Sequence, residues 1–421
     1  MNKNKALRAT AMASVLMSGA AWATDGYFPH GYGMKALGMG GASVAMTDNA
    51  FAGPNNPATA AFAGNRYELG VNLFMPDRGA SRTGASGMNG DADSASKSFL
   101  VPEFGYNRQI SSDTAVGLTV YGNGGMNTDY PATGIDCGQG AANMLCGNTK
   151  LGVNLMQLII APTFAYKLSD TSAIGVSPLL VYQQFRASGL QAFAGNPAWT
   201  GQSTYSTNTT DNGNDSSTGL GVRVGYTAAL SDQVRMGASY SPRTNMSKFK
   251  KYSQLFAEGG DFDIPENYVF GLAIQATPAL MLAVDYQRIN YSKVKAVGNS
   301  MMQGGALGAS NGPGFGWSDV DVVKLGAEWK YDTKLTLRAG YNHTNNPVNG
   351  TNVTFNIIAP GVIKQHYTAG LTYALDNKSE LTMAYMYAPK NTVTGTSALS
   401  STPETIRMSQ QSLGVQYGWK F

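Results

Sequence analysis

The chain has 421 residues, enough for two or three globular domains or for one large barrel. Only 13% of them are charged, against the roughly 25% usual in soluble chains, while Gly (51) and Tyr (22) are abundant, which excludes a solvated helical protein and an acidic disordered one. The net charge is +4, and Lys3, Lys5 and Arg8 supply three of those charges within residues 1–23; the remaining +1 leaves no basic face for nucleic acid.

Residues 1–23 read as a secretory signal, with a basic start, a short apolar core from Ala11 to Met17, and Ala21-Trp22-Ala23 as a small-x-small cleavage site. Beyond it no run of about 18 apolar residues occurs. The longest candidate, Leu155 to Tyr166, is broken by Gln157, Pro162 and Thr163, so a helical membrane protein is excluded. Residues 24–63 are rich in Gly, Ala, Asn and Pro, nearly uncharged, and show neither strand alternation nor a capped helix. A plug placed before a barrel fits that position, and a disordered Gly-rich N-terminus is the plainer alternative.

From 64 to 421 the signal is dyad alternation, apolar residues on one face and small or polar ones on the other, as a transmembrane barrel requires. Tyr67, Leu69, Val71, Leu73 and Met75 alternate with Glu68, Gly70 and Asn72; Leu220, Val222, Val224 and Tyr226 alternate with Gly221, Arg223 and Gly225. Strands are expected near 67–76, 98–109, 113–122, 150–167, 171–187, 218–230, 233–251, 264–276, 279–295, 320–331, 334–345, 364–375, 379–391 and 407–421. That makes an all-β fold, an antiparallel barrel of about 14 strands. Tight turns such as Ser231-Asp232 and Asp376-Asn377-Lys378 alternate with long polar loops, the topology of a bacterial outer-membrane barrel whose loops face outward. Cys137 and Cys146, in one Gly/Asn-rich loop, suggest a disulfide in an exported protein; a two-cysteine metal site has no nearby His. At the chain end Leu413, Val415, Tyr417, Trp419 and Phe421 share a face, and a terminal aromatic of this kind is similar to the signal read by the outer-membrane assembly machinery.

Several motifs join these features. They are the Gly-rich run from Gly31 to Ala42, the turn Thr47-Asp48-Asn49, the triplet Asn56-Pro57-Ala58, the strand opening Ile264-Pro265-Glu266, and the run Asn123, Gly125, Met126 and Thr128. Together they resemble the FadL-type outer-membrane transporters for long-chain fatty acids and aromatic hydrocarbons, TodX-like members included. The resemblance implies that residues 24–63 are a hatch folded inside the barrel. It implies a low-affinity outer groove on the third and fourth long loops, where Leu190, Phe193, Trp199, Phe249, Leu255 and Phe256 cluster; that these side chains only pack on one another is the equal alternative. It also implies a kinked third strand at Gly122, Asn123, Gly124 and Gly125, through which substrate leaves sideways into membrane lipid.

Glycine in a strand weakens ladder pairing in its own right, and the hatch amides of Asn55 and Asn56 are candidates to bond the freed backbone. Arg223, Arg235 and Arg338, at inward positions, and Arg186 near a strand top could hold a carboxylate bidentately, or only neutralise Glu68, Glu103, Asp285 and Glu328. No catalytic constellation is found: His30, His343 and His366 are scattered, and the single G-x-S-x-G, Gly308 to Gly312, lies in a loop. The sequence thus points to a passive outer-membrane channel for a hydrophobic small molecule, not an enzyme, with no cofactor, metal or nucleic-acid partner. The competing reading is a general porin or a surface barrel serving as adhesin or phage receptor.

Overall fold

A computed structural model describes residues 25–84, 87–137, 140–201 and 206–421, with the side chains of Trp199 and Thr200 also outside the described set. The expected signal segment lies outside the described residues. The strands are β1 (Arg66–Arg82), β2 (Phe99–Gln109), β3 (Thr114–Asn127), β4 (Gly152–Lys167), β5 (Ser172–Ser188), β6 (Asp215–Ala229) and β7 (Val234–Ser241). They continue with β8 (Asn267–Gln275), β9 (Leu280–Ile289), β10 (Val320–Lys330), β11 (Leu335–Thr344), β12 (Gln365–Ala374), β13 (Ser379–Thr396) and β14 (Pro403–Lys420). Each pairs antiparallel with its chain neighbour, and β14 returns to β1 from Arg66–Lys420 to Arg82–Glu404, closing a 14-stranded barrel. Closure satisfies the backbone groups that a bilayer cannot. Tight turns gather at one end with both barrel termini, and the longer loops at the other.

Alternation explains the wall. In β1, Leu69 and Val71 stand 55% and 42% exposed on the outside, while Glu68 and Asn72 are buried in the lumen. Tyr166, Trp329, Tyr331 and Tyr373 are exposed near the turn end, where an aromatic girdle belongs. Phe421 stacks beside Tyr106 at 6.0 Å and lies 6.4 Å from Tyr67.

Several strand ends depart from the sequence expectation; among them β1 runs on to Arg82, β13 runs on to Thr396 and β14 starts at Pro403. β7 stops at Ser241 rather than near 251, because Pro242 offers no ladder N–H, and the residues beyond fold over the barrel mouth. β9 stops at Ile289 rather than near 295, where the chain coils into a 3-10 turn, Tyr291–Lys293. β3 goes the other way, continuing through the glycines to Asn127.

The segment from 25 to 62 lies inside the lumen, and all of it except Tyr32, Thr47, Asp48 and Phe62 is buried. It holds α1 (Met34–Gly38), α2 (Ala52–Asn55) and a 3-10 turn over Pro57–Ala61. Wall glycines make the room. Gly175 and Gly225 are paired across β5 and β6, and a side chain on either would collide with Pro57 or Asn56, with a Cβ at Gly225 only 2.0 Å from Asn56 Oδ1.

Candidate functional site

The Asn56-Pro57-Ala58 triplet pins the hatch. The Asn56 side chain accepts from Ala58 N (3.1 Å), capping the 3-10 turn, and its amide donates to Val44 O (2.7 Å) and to Tyr226 O in β6 (3.0 Å). Asn55 donates to Tyr32 O (3.0 Å), so both amides bond elsewhere than at the glycine-rich part of β3. The expectation that they satisfy freed β3 backbone is corrected by this geometry: their reach is spent within the hatch and on β6.

β3 nevertheless leaves its neighbour. It pairs with β2 only from Gln109–Ala115 to Phe104–Val120, while on its other side it follows β4 as far as Asn127–Asn154. The β4 register slips between Gly122 and Gly124, so Asn123 is the extra residue of a bulge, which bends the strand. Tyr121 to Asn127 therefore part from Phe99 to Glu103, and the wall has a gap. Above it, Arg78 bonds the carbonyls of Asn127 and Ser96, and Ala95 N donates to Asp129 O (2.7 Å).

Behind the gap sits the hatch's first segment. Gly125 N donates to Tyr27 O (3.4 Å), Tyr32 Oη donates to Asn123 Oδ1 (3.0 Å), and the Tyr32 ring meets Tyr121 edge-on at 4.8 Å. A Cβ on Gly124 would lie 2.4 Å from Tyr27 O. The Asn123 amide continues to Gln157 (3.0 Å) and from there to Gln183 (3.1 Å), a buried polar relay along the inner wall.

Of the two readings of the loop residues, an outer groove or side chains packed on one another, the described ones show the packing. Leu190, Phe193, Phe249 and Phe256 are buried and Leu255 partly so, because the long loops fold inward into one apolar cap. Phe185 contacts Phe249, Tyr252 and Phe256 at 5.6, 4.9 and 4.6 Å, and Phe193 meets Phe355 edge-on at 5.2 Å. The side chain of Trp199 lies outside the described residues. Cys137 and Cys146 are disulfide-bonded in the loop after β3.

The arginines divide. Arg223 is buried, bonded to Asn267 (3.2 Å) and Ser239 (3.5 Å), and makes no ion pair among the described residues. Arg338 is neutralised by Glu328 (2.7 Å) and also bonds Thr372 (2.6 Å). Arg235 stacks over the Phe62 ring at 4.6 Å at the turn end. Arg186 does not face the lumen: in β5 the odd positions around it turn inward, leaving it exposed on the outer surface beside Lys150, Asp129 and Asp211 around a 490 Å3 hollow.

Two buried lysines escaped the sequence reading. Lys324 donates to His30 O (2.9 Å) and lines a lumen hollow of only about 20 Å3 with Arg223, Asn267 and Asp285. It occupies the same inward parity of β10 as Glu328, so alternation could have found it. Lys35 of α1 pairs with Asp48 (3.1 Å) and Glu380 (2.8 Å), tying hatch to wall. Burial pulls the Lys35 ammonium down, but the two carboxylates outweigh it and its pKa is raised. Burial pushes Asp25 up to about 6 against the pull of Lys324 and Asn342. It drives His30 down to about 3 with help from Lys324, against a bond to Leu37 O. The His30 ring stacks on His366 at 5.4 Å.

Residues 12–421 match the family model described as outer membrane protein transport protein (OMPP1/FadL/TodX). The long-chain fatty acid transport protein of Escherichia coli strain K12 is 24% identical over 420 residues, covering 90% of this chain and 91% of that protein. The Pseudomonas putida toluene transporter TodX superposes with a TM-score of 0.68 at 21% identity, over 93% of this chain and 99% of that one. A Pseudomonas aeruginosa FadL homologue also reaches 0.68, at 14% identity, over 94% and 100%.

Proposed function

The chain belongs to the OMPP1/FadL/TodX family of outer-membrane transport proteins, and we propose that it is a passive channel for hydrophobic compounds, long-chain fatty acids or aromatic hydrocarbons, that releases them sideways into the membrane. Substrate enters through the apolar cap at the extracellular loop end. It leaves between β2 and β3 into outer-membrane lipid, avoiding the aqueous periplasm at the turn end. The observation that carries this reading is the parting of β3 from β2 above Phe104–Val120, with the hatch backbone at Tyr27 seated behind it. Unpaired backbone facing lipid costs several kcal/mol per group, so a gap in the wall backed by a plug is a feature the fold maintains. A general porin is disfavoured by a lumen filled from 25 to 62. Export on the signal of residues 1–23 completes the proposal.

Gly124→Val tests the path. Its side chain collides with Tyr27 O and fills the gap, so uptake of toluene or oleate should fall at least several-fold while heat-modifiable migration shows an intact barrel. A variant that assembles and transports at the parental rate removes the sideways route.

A further inference from the structure

Tyr291 stands in the 3-10 turn Tyr291–Lys293, immediately after β9, at the foot of the loop running to 319. Its hydroxyl accepts the backbone N–H of Tyr27 (3.1 Å) and of Phe28 (3.3 Å) and donates to Asp25 O (2.7 Å). Three hydrogen bonds from one oxygen wrap the first hatch segment around a side chain borne by an extracellular loop. The ring is fixed as well. It meets Tyr27 at 5.1 Å, Phe28 at 5.9 Å and Trp317 edge-on at 5.2 Å. Gly26, at φ 74°, passes so close that a Cβ there would lie 2.6 Å from the ring.

The same segment closes the wall. Tyr27 donates its N–H to the Tyr291 hydroxyl and, through its own carbonyl, accepts from Gly125 N in the parted section of β3. Two hydrogen bonds across one residue thus connect the outer loop to the free edge of the gap. On the loop side, Tyr291 is embedded in the apolar cap with Val294, Val297 and Trp317, where a hydrophobic molecule arriving from outside has to insert.

We propose that Tyr291 is the positioning residue that couples the outer cap to the sideways exit, a proposal that rests on the exit reading above. With its hydroxyl engaged, residues 25–28 are held against Gly124 and Gly125 and the gap is shut. A molecule that wedges between the cap side chains shifts the loop carrying Tyr291, draws the hydroxyl away from Tyr27 and frees the segment. Entry at the top and release at the side then occur in one sequence, and the channel stays closed when empty.

The test is Tyr291→Phe in the full chain, which keeps the ring contacts and removes the three hydrogen bonds. Amide exchange over 25–33 and over 121–127 should quicken by roughly tenfold, the scale of about one net hydrogen bond, with exchange in β8 to β14 unchanged. Uptake of toluene should rise at least twofold. Tyr252→Phe is the control for a merely structural hydroxyl. Tyr252 bonds Gly213 O (2.6 Å) and Ala187 O (3.4 Å) within the cap, and its loss should leave 121–127 at the parental rate. Unchanged exchange over 121–127 in Tyr291→Phe overturns the coupling whatever the uptake. Faster exchange with parental uptake overturns its part in transport. Failure of the exit reading shows itself separately, as parental uptake in Gly124→Val with the Tyr291→Phe exchange effect intact.

Discussion

Asp25 and His30 lie five residues apart in the hatch, both buried in the lumen, and burial acts on them in opposite senses. His30 is held at about 3, below its ordinary 6.5. A hatch lifted off its seat binds a proton there as the pH drops through 6.5, so this contribution to seating is complete above 6.5 and is lost as the pH falls toward 3, by about 1.4 kcal/mol per pH unit. Asp25, raised from 3.8 to about 6, does the reverse: the seated form takes its proton first, and the strain of its buried charge is relieved as the pH falls from 6 toward 4. In the parental protein the two effects largely offset each other in mildly acid solution. Asp25→Asn removes the offset, and exchange over 25–33, corrected for the intrinsic rate, should then be roughly tenfold faster at pH 5 than at pH 7. An equal pH response in variant and parent would count against this account. Neither residue stood out in the sequence, because a hatch with no periodicity gives no parity from which to read which side chains face inward. Asn56 did stand out as part of a motif, yet its partners Val44 O and Tyr226 O come from a second hatch turn and a strand 170 positions away, a closure that only the folded chain reveals.

At the scale of elements, alternation was the legible quantity: the strand number and most strand ends follow from it. It failed where another force governs the chain. β7 ends early at Pro242, and beyond it Met246 and Phe249 serve the apolar cap rather than the wall. Apolar loop residues look exposed in a sequence because nothing local says what covers them; Phe249 and Phe256 are covered by Phe185 and Phe262. For β3 the glycines signalled a weak ladder but not its asymmetry, intact toward β4 and open toward β2. The bulge at Asn123 makes that difference, since Gly122–Leu158 and Gly124–Gln157 are successive pairs on β4 with one residue too many on β3. Deleting Asn123 makes the ladder regular, straightens the strand toward β2 and removes the acceptor of Tyr32 Oη. Uptake of toluene should fall with assembly preserved. Parental uptake in the deletion variant would mean that the gap does not originate in the bulge.

The whole molecule is a closed wall around a plug, and the two depend on each other unequally. The wall's ladder from β3 through β14 to β1 and β2 is made of pairs between wall strands, so we expect the barrel to assemble without the hatch. The hatch, by contrast, has only short helical turns, and it keeps its place through contacts with the wall: Lys35 with Glu380, Ser43 and Val44 N–H with Asp285, Gly33 N–H with Glu103, Ala50 N–H with Glu68. A barrel of eight strands fills its interior with its own side chains, and one of fourteen is too wide to do so. Removing residues 31–62 therefore exposes Glu68, Glu103, Asp285, Lys324 and Arg338 to a continuous aqueous lumen lined with charge. We expect the deletion variant to assemble with normal heat-modifiable migration, to show single-channel conductance raised several-fold in planar bilayers, and to let small sugars swell proteoliposomes that the parental protein keeps sealed. Its preference for hydrophobic solutes should disappear, because water in the lumen gives polar molecules the same route and residues 25–28, which close the gap beside Gly124, lose the rest of the hatch that seats them. If conductance stayed at the parental level in an assembled variant, the extracellular cap over Phe249, Phe256 and Trp317 would have to be the barrier to ions, and the hatch would serve the side exit alone.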